Sequence, residues 1–333
     1  QTSGVILQYL KDTQPVSLSL LDHITTYSIS EFMTLDAATR RNLELTETLR
    51  RGETQGSLLH ILDHTLTPMG HRLIRQWISK PLLKIEAIQA RQVIVAGFLK
   101  DGLFRTAVRS ALAPIGDLER LCNRITSGIA NPRDLVALRN NLTQLPEILD
   151  ELDQNKHTAP SLREQIDPCS AVLDLVNRAI AEEPPATLQN TGVIRSGFSS
   201  ELDNIIEMSS HAREWISNLE NVERERTGIK NLKVGYNKVF GYYIEITNSN
   251  TNLAPAEYIR KQTLVNAERY ITPEMKEYES LVLNAEERIH EVENRLFKEI
   301  CHEISKSSLV LLNTARALGE LDVYLSFAEV AAY

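Results

Sequence analysis

The sequence is poor in the residues that mark several common protein classes. Glycine accounts for only 14 of 333 residues and aromatic residues for only 6%, a balance that favours helices over a large sheet. No apolar run approaches the roughly 20 residues that span a bilayer, which argues against a transmembrane helix. The three cysteines are odd in number, lie far apart and form no metal or redox motif, so the sequence suits a reducing cytosol.

The motifs needed for catalysis with ATP or a metal are also missing. No phosphate-binding loop of the form G-x-x-x-x-G-K-[ST] occurs anywhere in the chain. His60 and His64 are four residues apart, but Ile61 stands where the zinc-protease pattern needs glutamate, and no third ligand is evident. We therefore expect no catalytic residue, no resident cofactor and no metal in this chain.

The predicted sheet segment, residues 228–272, has a net positive charge in a chain that is acidic overall. The net charge of the whole sequence is −8, which is unusual for a free-standing nucleic-acid-binding protein. Residues 228–272, however, carry a net charge of +3, which leaves −11 for the remainder. A local surface for a polyanion therefore stays open in a chain whose overall charge argues against one.

Hydrophobic periodicity predicts a mainly α fold. Residues 57–180 have the pattern of a series of helices, and Asp36 can cap a helix that begins at Ala37. Extended character is expected at residues 24–29, and the prolines and glycines within 182–197 predict a break. The expected stops between helices are Pro81, Gly102, Pro114 to Gly116, Gly128, Pro132, Pro146 and Pro160.

Two long amphipathic helices are predicted in the second half of the chain. One runs from Ser200 to the residue before Gly228, and the other begins at about Pro273, a residue suited to a first helical turn. A further helix is expected at about 308–331. The first apolar stripe is Leu202, Ile205, Ser209, Ala212, Ile216, Leu219 and Val222, and the second is Leu281, Ala285, Ile289, Val292, Leu296, Ile300 and Ile304.

Between the two long helices the hydrophobic period changes from about 3.6 to about 2. The segments 232–236 and 242–246 alternate as strands do, and a tight loop at 237–241 joins them. A second strand pair is expected on either side of 265–268. The sequence thus predicts a small antiparallel sheet inserted between two long antiparallel helices, at a distance from the acidic body.

Five runs of residues occur in the order known from one protein family. They are LDAATRRNLE at 35–44, TPMG at 67–70 followed by 73–77, ERERTG at 223–228 continuing through 232–246, NAERYITPEMKEYE at 266–279 and LGELD at 318–322. Together they resemble the lever and clamp domains of the bacterial MutS family, which acts in DNA mismatch repair. The resemblance covers nearly the whole chain.

The resemblance implies a division of the chain into four parts. Residues 1–199 would form a helical core, with 1–12 as a candidate end of a connector domain. Residues 200–227 would form an outgoing lever helix, 228–272 a clamp, and 273–333 a returning helix toward a missing ATPase domain. The chain would be a fragment that lacks the mismatch reader and the ATPase, so ATP and Mg²⁺ would bind outside it.

The resemblance also implies partners and a location. The clamp would hold double-stranded DNA through its backbone without sequence preference. The full-length protein would form a homodimer, recruit MutL and act in the cytoplasm at the nucleoid, away from membranes. The helices would carry changes in the ATPase to the clamp.

Candidate DNA contacts lie in the segment 228–272, because phosphate oxygens accept hydrogen bonds from lysine, arginine, asparagine and threonine. The resemblance implies that the positions of Asn237 and Asn266 face the DNA backbone. Val265 stands where several relatives carry a basic residue. Outside the segment, Arg40 is a candidate joint between the core and neighbouring domains. The candidate contacts are Asn237, Lys238, Asn266, Lys233, Lys261, Arg260 and Thr263.

Other interpretations stay open at this point. Asparagine tolerates a positive φ, so Asn237 and Asn266 can occupy tight turns for backbone reasons alone. Lys233 and Lys261 can belong to a solvated face, and Arg40 to a local ion-pair network. The chain as a whole can instead be a fragment of a MutS-family recombination protein, or a helical scaffold that binds other proteins and no DNA.

Overall fold

Helices dominate the computed structural model, which describes residues 2–13, 32–237, 239 and 241–333. The predicted extended stretch at 24–29 and the candidate contact Lys238 lie outside these residues. The helices are α1 (Thr2–Thr13), α2 (Ala37–Asn42), α3 (Leu58–Leu62), α4 (Pro68–Ser79), α5 (Ile85–Lys100), α6 (Gly102–Leu112), α7 (Leu118–Thr126), α8 (Pro132–Gln154), α9 (Pro160–Gln165), α10 (Ser170–Ala179), α11 (Ser200–Thr227), α12 (Pro273–Ser305) and α13 (Ser308–Ala331).

One small antiparallel sheet accompanies the helices, so the predicted mainly α fold with a β insertion is confirmed. Its strands are β1 (Lys233–Asn237), β2 (Gly241–Thr247), β3 (Ile259–Thr263) and β4 (Ala267–Ile271), with a short 3-10 helix at Asn248–Leu253. The chain divides into two compact units. The first comprises Gln1–Thr187 with Lys298–Tyr333, and the second comprises Leu188–Phe297. Among the described helices, none is both long and apolar enough to cross a membrane.

Sequence-coded caps set the beginnings of several helices. Asp36 accepts a hydrogen bond from the backbone N–H of Thr39 at 2.6 Å, as its position before α2 predicted. Asn131 and Asp134 form a reciprocal capping box at the start of α8. Pro132 occupies the first turn of that helix, where its missing N–H costs nothing.

Pro146 does not stop a helix, contrary to the sequence prediction, because α8 continues through it to Gln154. The side chains of Leu142, Leu145 and Ile148 are fully buried on both sides of the proline. Burying each such side chain contributes roughly 1.5–3 kcal/mol, which together exceeds the ~3 kcal/mol cost of an interior proline. Tertiary packing therefore keeps the helix continuous.

Helix α13 forms the centre of the first unit and packs against α4, α5, α7 and α9. Its Asp322 is completely buried and accepts hydrogen bonds from the backbone N–H groups of Leu66 and Thr67, at 2.9 and 2.7 Å. The Thr67 hydroxyl donates to the same carboxylate at 2.7 Å. A Cβ on Gly70 would overlap the Asp322 side chain, so the TPMG and LGELD runs meet at one buried joint.

Helix α11 and the part of α12 up to Phe297 lie antiparallel within the second unit. The Trp215 and Tyr278 rings stack with their centroids 3.9 Å apart. The stack adjoins a core cluster of Ala212, Ile216 and Val282. The predicted antiparallel pairing of the two long helices is therefore present, and it includes an aromatic stack.

The two predicted apolar stripes are each wrong at one position. Val222 is 54% exposed and Leu281 is 43% exposed, and their neighbours Glu223 and Val282 are buried instead. Val282 packs between the helices. The Glu223 carboxylate accepts hydrogen bonds from the Tyr258 hydroxyl at 2.7 Å and from Arg226 Nε at 2.9 Å, so its burial is compensated.

Candidate nucleic-acid interface

The sheet has two ends of different character. The strand order is β1-β2-β4-β3, and all neighbours are antiparallel. Asn237 pairs with Gly241 at one end of β2, whereas Thr247 pairs with Ala267 at the other. The two hairpin turns therefore lie at opposite ends of the sheet, separated by the length of β2, about 20 Å. We call residues 237–241 the helix-side turn, and residues 247–253 with 263–266 the distal end.

The helix-side turn is fastened to α12. The Glu279 carboxylate on α12 accepts hydrogen bonds from Tyr242 N at 3.2 Å and from Lys276 Nζ at 2.5 Å. Gly241 has a φ of +83°, and a Cβ at this position would overlap the same carboxylate. The turn thus depends on a glycine at 241 for both its backbone conformation and its contact with the helix.

Asn237 already uses its side chain within this turn. Its Oδ1 accepts a hydrogen bond from Val239 N at 2.8 Å, which is the geometry of an Asx turn. The turn therefore explains why an asparagine stands at 237 without any partner outside the chain. Its carboxamide N–H groups point to no acceptor among the described residues.

Asn266 lies at the distal end and is differently placed. Its backbone carbonyl accepts from Asn248 N at 3.1 Å. Its φ is not among the positive values of the described non-glycine residues, so a left-handed turn does not account for the asparagine. Its carboxamide is exposed and makes no hydrogen bond to any residue that the structure describes. Asn266 therefore presents free donors to solvent.

The predicted basic contacts differ in whether an acidic side chain pairs with them. Lys233 lies on the edge strand β1 and Lys261 on the opposite edge strand β3, and both are exposed without an acidic partner among the described residues. Lys261 sits where the β3–β4 register shifts. Arg260 instead forms an ion pair with Glu268 at 2.9 Å, which offsets part of its charge, although its side chain stays 61% exposed. Thr263 is exposed at the end of β3.

Arg260 on β3 belongs to a local network with Glu268 and Tyr270 on β4. Glu268 also accepts a hydrogen bond from the Tyr270 hydroxyl at 2.5 Å, which, with the Arg260 pair, holds the pKa of this carboxyl below its usual range. Burial and the same carboxylate raise the pKa of Tyr270 to about 12. The tyrosine stays protonated and the glutamate ionised near neutral pH, so the ion pair with Arg260 persists.

The polar face of the sheet carries a row of residues in register. Lys233 is opposite Glu245, Glu245 is opposite Arg269, and Arg269 is opposite Gln262. Arg269 Nε donates to Glu245 at 2.9 Å, and its guanidinium lies 4.2 Å from the centroid of the Tyr243 ring. Arg269 thus contributes little free charge to this face, which the sequence could not show because the pairing depends on register.

The tyrosines of β1 and β2 pack rather than offer a stacking platform. The Tyr236 and Tyr242 rings meet edge to face, with centroids 4.9 Å apart. A Cβ on Gly235 would overlap the Tyr243 ring, which covers that glycine across the strand pair. These contacts favour cross-strand packing over base stacking as the role of the tyrosines.

A buried carboxylate that the sequence did not single out holds the segment before α11. Glu293 on α12 is only 3% exposed. It accepts hydrogen bonds from three consecutive backbone N–H groups, those of Gly192 (3.0 Å), Val193 (2.9 Å) and Ile194 (3.1 Å). Burial raises the pKa of Glu293 above its ordinary value. In the sequence, the only sign of this buried site is that Glu293 stands next to the apolar stripe of its helix.

The remaining candidates lie in the first unit. Arg40 is exposed on α2, and its Nε donates to the backbone carbonyl of Leu35 at 3.1 Å. His60 belongs to α3, which ends at Leu62, so His64 lies beyond that helix. Among the described residues no group of three or more His, Cys, Asp or Glu side chains could hold a metal ion.

Comparisons with known proteins agree with the resemblance. Residues 38–328 match the family model of MutS domain III. The chain is 45% identical over 330 residues to the DNA mismatch repair protein MutS of Acetivibrio thermocellus, an alignment that covers 99% of this chain and 38% of that protein. It is 48% identical over 334 residues to the protein of the same name from Alkaliphilus oremlandii, with coverage of 99% and 38%.

A third relative gives a similar match. The DNA mismatch repair protein MutS of Methanosarcina barkeri is 44% identical over 331 residues, which cover 98% of this chain and 37% of that protein. The chain therefore spans little more than a third of the length of the relatives that it matches. The match to the family model covers most of the chain, and the chain belongs to the MutS domain III family.

Proposed function

We propose that this chain is the central, non-catalytic part of a mismatch-repair protein, in which the small sheet holds the DNA backbone. The relatives are named as DNA mismatch repair proteins, and domain III is the part that matches. The observation that carries the proposal is the exposed outer edge of the sheet, where the Asn266 amide and the Lys261 ammonium have no partner among the described residues. Both are donors suited to phosphate oxygens.

Two features make this contact weak and independent of base sequence. The donors that remain free are few, since Arg260 and Arg269 are bound to Glu268 and Glu245. The residues outside 228–272 carry a net charge of −11 and repel the same polyanion. Backbone contacts position a protein on DNA but carry no base information, so matched and mismatched duplexes should bind equally.

In the whole protein, α11 and α12 act as the lever. The aromatic stack and buried side chains between them make the pair suited to carrying an angular change toward the sheet. The rest of the proposal follows the family. An ATPase domain outside this chain binds ATP and Mg²⁺, a second copy completes a homodimer around DNA, and MutL is recruited. Arg40 would take part in the joint to neighbouring domains.

Fluorescence anisotropy with a short labelled duplex tests the DNA contact. The double variant Lys261→Ala/Asn266→Ala should bind several-fold more weakly than the unmodified chain and should show a shallower salt dependence between about 50 and 200 mM. Lys100→Ala is the matched control, because Lys100 is an exposed lysine of the first unit. Its binding should be unchanged.

Two results would count against the proposal. An unmodified chain that binds no duplex even at low salt would point to a protein-binding scaffold. Equal losses in the double variant and in Lys100→Ala would show that only overall charge matters. The same assay can compare the predicted contacts Asn237, Lys238, Lys233, Arg260 and Thr263.

A further inference from the structure

The distal end of the sheet is uncharged in a region rich in charge. Residues 246–256 and 262–267 contain no Lys, Arg, Asp or Glu, although the residues that flank them at 245, 257, 261 and 268 are all charged. The same two stretches contain four asparagines, at 248, 250, 252 and 266. An exposed surface of neutral amides therefore lies between charged neighbours.

Hydrogen bonds join the two stretches into one surface. Asn248 N donates to the Asn266 carbonyl at 3.1 Å, and Asn248 Nδ2 donates to the Val265 carbonyl at 2.9 Å. The 3-10 helix is held by its own contacts, since the Thr251 hydroxyl donates to the Asn248 carbonyl at 3.0 Å. The backbone under the surface is thus fixed by the sheet and needs no outside partner.

Three of the four asparagines keep their donors free. Asn248 already donates its side-chain amide to the Val265 carbonyl. The Asn250 carboxamide makes no hydrogen bond with the residues that the structure describes, and Asn252 only accepts a long one, 3.4 Å, from the Thr251 hydroxyl. A carboxamide offers two N–H donors without a charge. Asn252 and Asn266 are exposed and Asn250 is partly buried, and all three carry unpaired neutral donors at one end of the sheet.

We propose that this end is a DNA-backbone contact made by neutral donors, in which Asn250 and Asn252 of the 3-10 helix bind phosphate oxygens beside Asn266. The inference rests on the function proposed above and adds a site to it. Charged contacts gain affinity largely by releasing counterions, which salt opposes. Neutral amide donors release none, so this contact holds at salt concentrations that weaken the lysine contacts.

The first test separates neutral from charged contacts in the anisotropy titration. Asn250→Ala/Asn252→Ala should weaken binding by roughly five-fold for each amide lost and leave the slope of log affinity against log salt unchanged. Lys261→Ala should instead reduce that slope by about 0.9. Urea unfolding of each variant checks that the fold is intact.

A second test uses two valines that are equally exposed at opposite ends of the sheet. Val265 at the distal end and Val239 in the helix-side turn are both 91% exposed. Val265→Lys should strengthen binding at low salt and steepen the salt slope by about 0.9, because a new ammonium meets a phosphate. Val239→Lys, with the same added charge, should change neither.

The outcomes distinguish the two proposals. If the unmodified chain binds no DNA, the proposed function and this inference both fail. If it binds and Lys261→Ala lowers the slope, but the asparagine pair has no effect, the neutral contact is wrong and the charged one stands. Equal gains from Val265→Lys and Val239→Lys would also overturn the inference, since they would reflect total charge rather than position.

Discussion

Single residues decide how the sheet is attached to its helices. Gly241 combines a positive φ with a close approach to the Glu279 carboxylate, and Gly228 at the end of α11 combines a similar φ of +71° with open space. Comparing alanine substitutions at the two glycines therefore separates the cost of backbone strain from the cost of steric overlap. Both lie in the second unit, so they can be compared in one unfolding transition.

Gly241→Ala should lower the free energy of unfolding by roughly 2–4 kcal/mol, because left-handed strain and overpacking add. Gly228→Ala should cost only the strain, about 1–2 kcal/mol. Urea unfolding followed by tryptophan fluorescence measures both, since Trp215 lies in the same unit. Equal costs would mean that the Glu279 side chain moves aside freely.

At the scale of elements, buried carboxylates join segments that are distant in sequence. Glu293 binds three N–H groups about a hundred residues earlier, and Glu223 binds Tyr258 across the sheet insertion. Each glutamate is buried among the apolar residues of its helix. Such sites depend on the satisfied hydrogen bonds, because an unpaired buried carboxylate is costly.

The Glu293 carboxyl should make stability depend on pH in an unusual direction. Because burial raises its folded pKa above the ordinary 4.5, the folded state binds the proton more tightly than the unfolded state. This stabilising contribution is complete below the unfolded pKa and is lost as pH rises through the folded pKa. The free energy of unfolding of the unmodified chain, minus that of Glu293→Gln, should therefore fall as pH rises over this window.

Urea unfolding of both proteins at a series of pH values measures this difference. Glu293→Gln removes the titrating group and keeps the size of the side chain, so other carboxyls cancel in the comparison. A difference that grew with pH would show that the three N–H donors outweigh burial. In that case the carboxylate would be stabilised as an anion.

At the scale of the whole molecule, charge distribution and missing motifs govern the behaviour of the chain. The sequence contains no phosphate-binding loop, and residues 228–272 carry a net charge of +3 in a chain whose overall net charge is −8. The isolated chain should therefore bind matched and G·T-mismatched duplexes with equal affinity, and ATP with Mg²⁺ should not change that affinity. Anisotropy titrations at one salt concentration measure both comparisons. A reproducible preference for the mismatch would place a reader of bases within this chain.

Several sequence predictions proved correct because they rest on local patterns. The cap at Asp36, the change of period near residue 232 and the helix start at Pro273 each depend on neighbours within a few residues. The errors share another cause. Val222 and Leu281 fit the apolar period, but Tyr258 and Ala212 reach the adjacent positions from other segments, and no local pattern contains that information.

The sequence by itself determined the mainly α fold, the sheet insertion, the basic segment and the family, because periodicity, charge and motif order are read along the chain. Only the tertiary structure decided which donors are free. In the folded chain, the Asn237 side chain accepts a hydrogen bond within its own turn and Arg260 forms an ion pair with Glu268, whereas the Asn266 side chain is exposed. Strand register and long-range contacts determine these partners. Residues of one type within one segment therefore differ in whether their donors are paired.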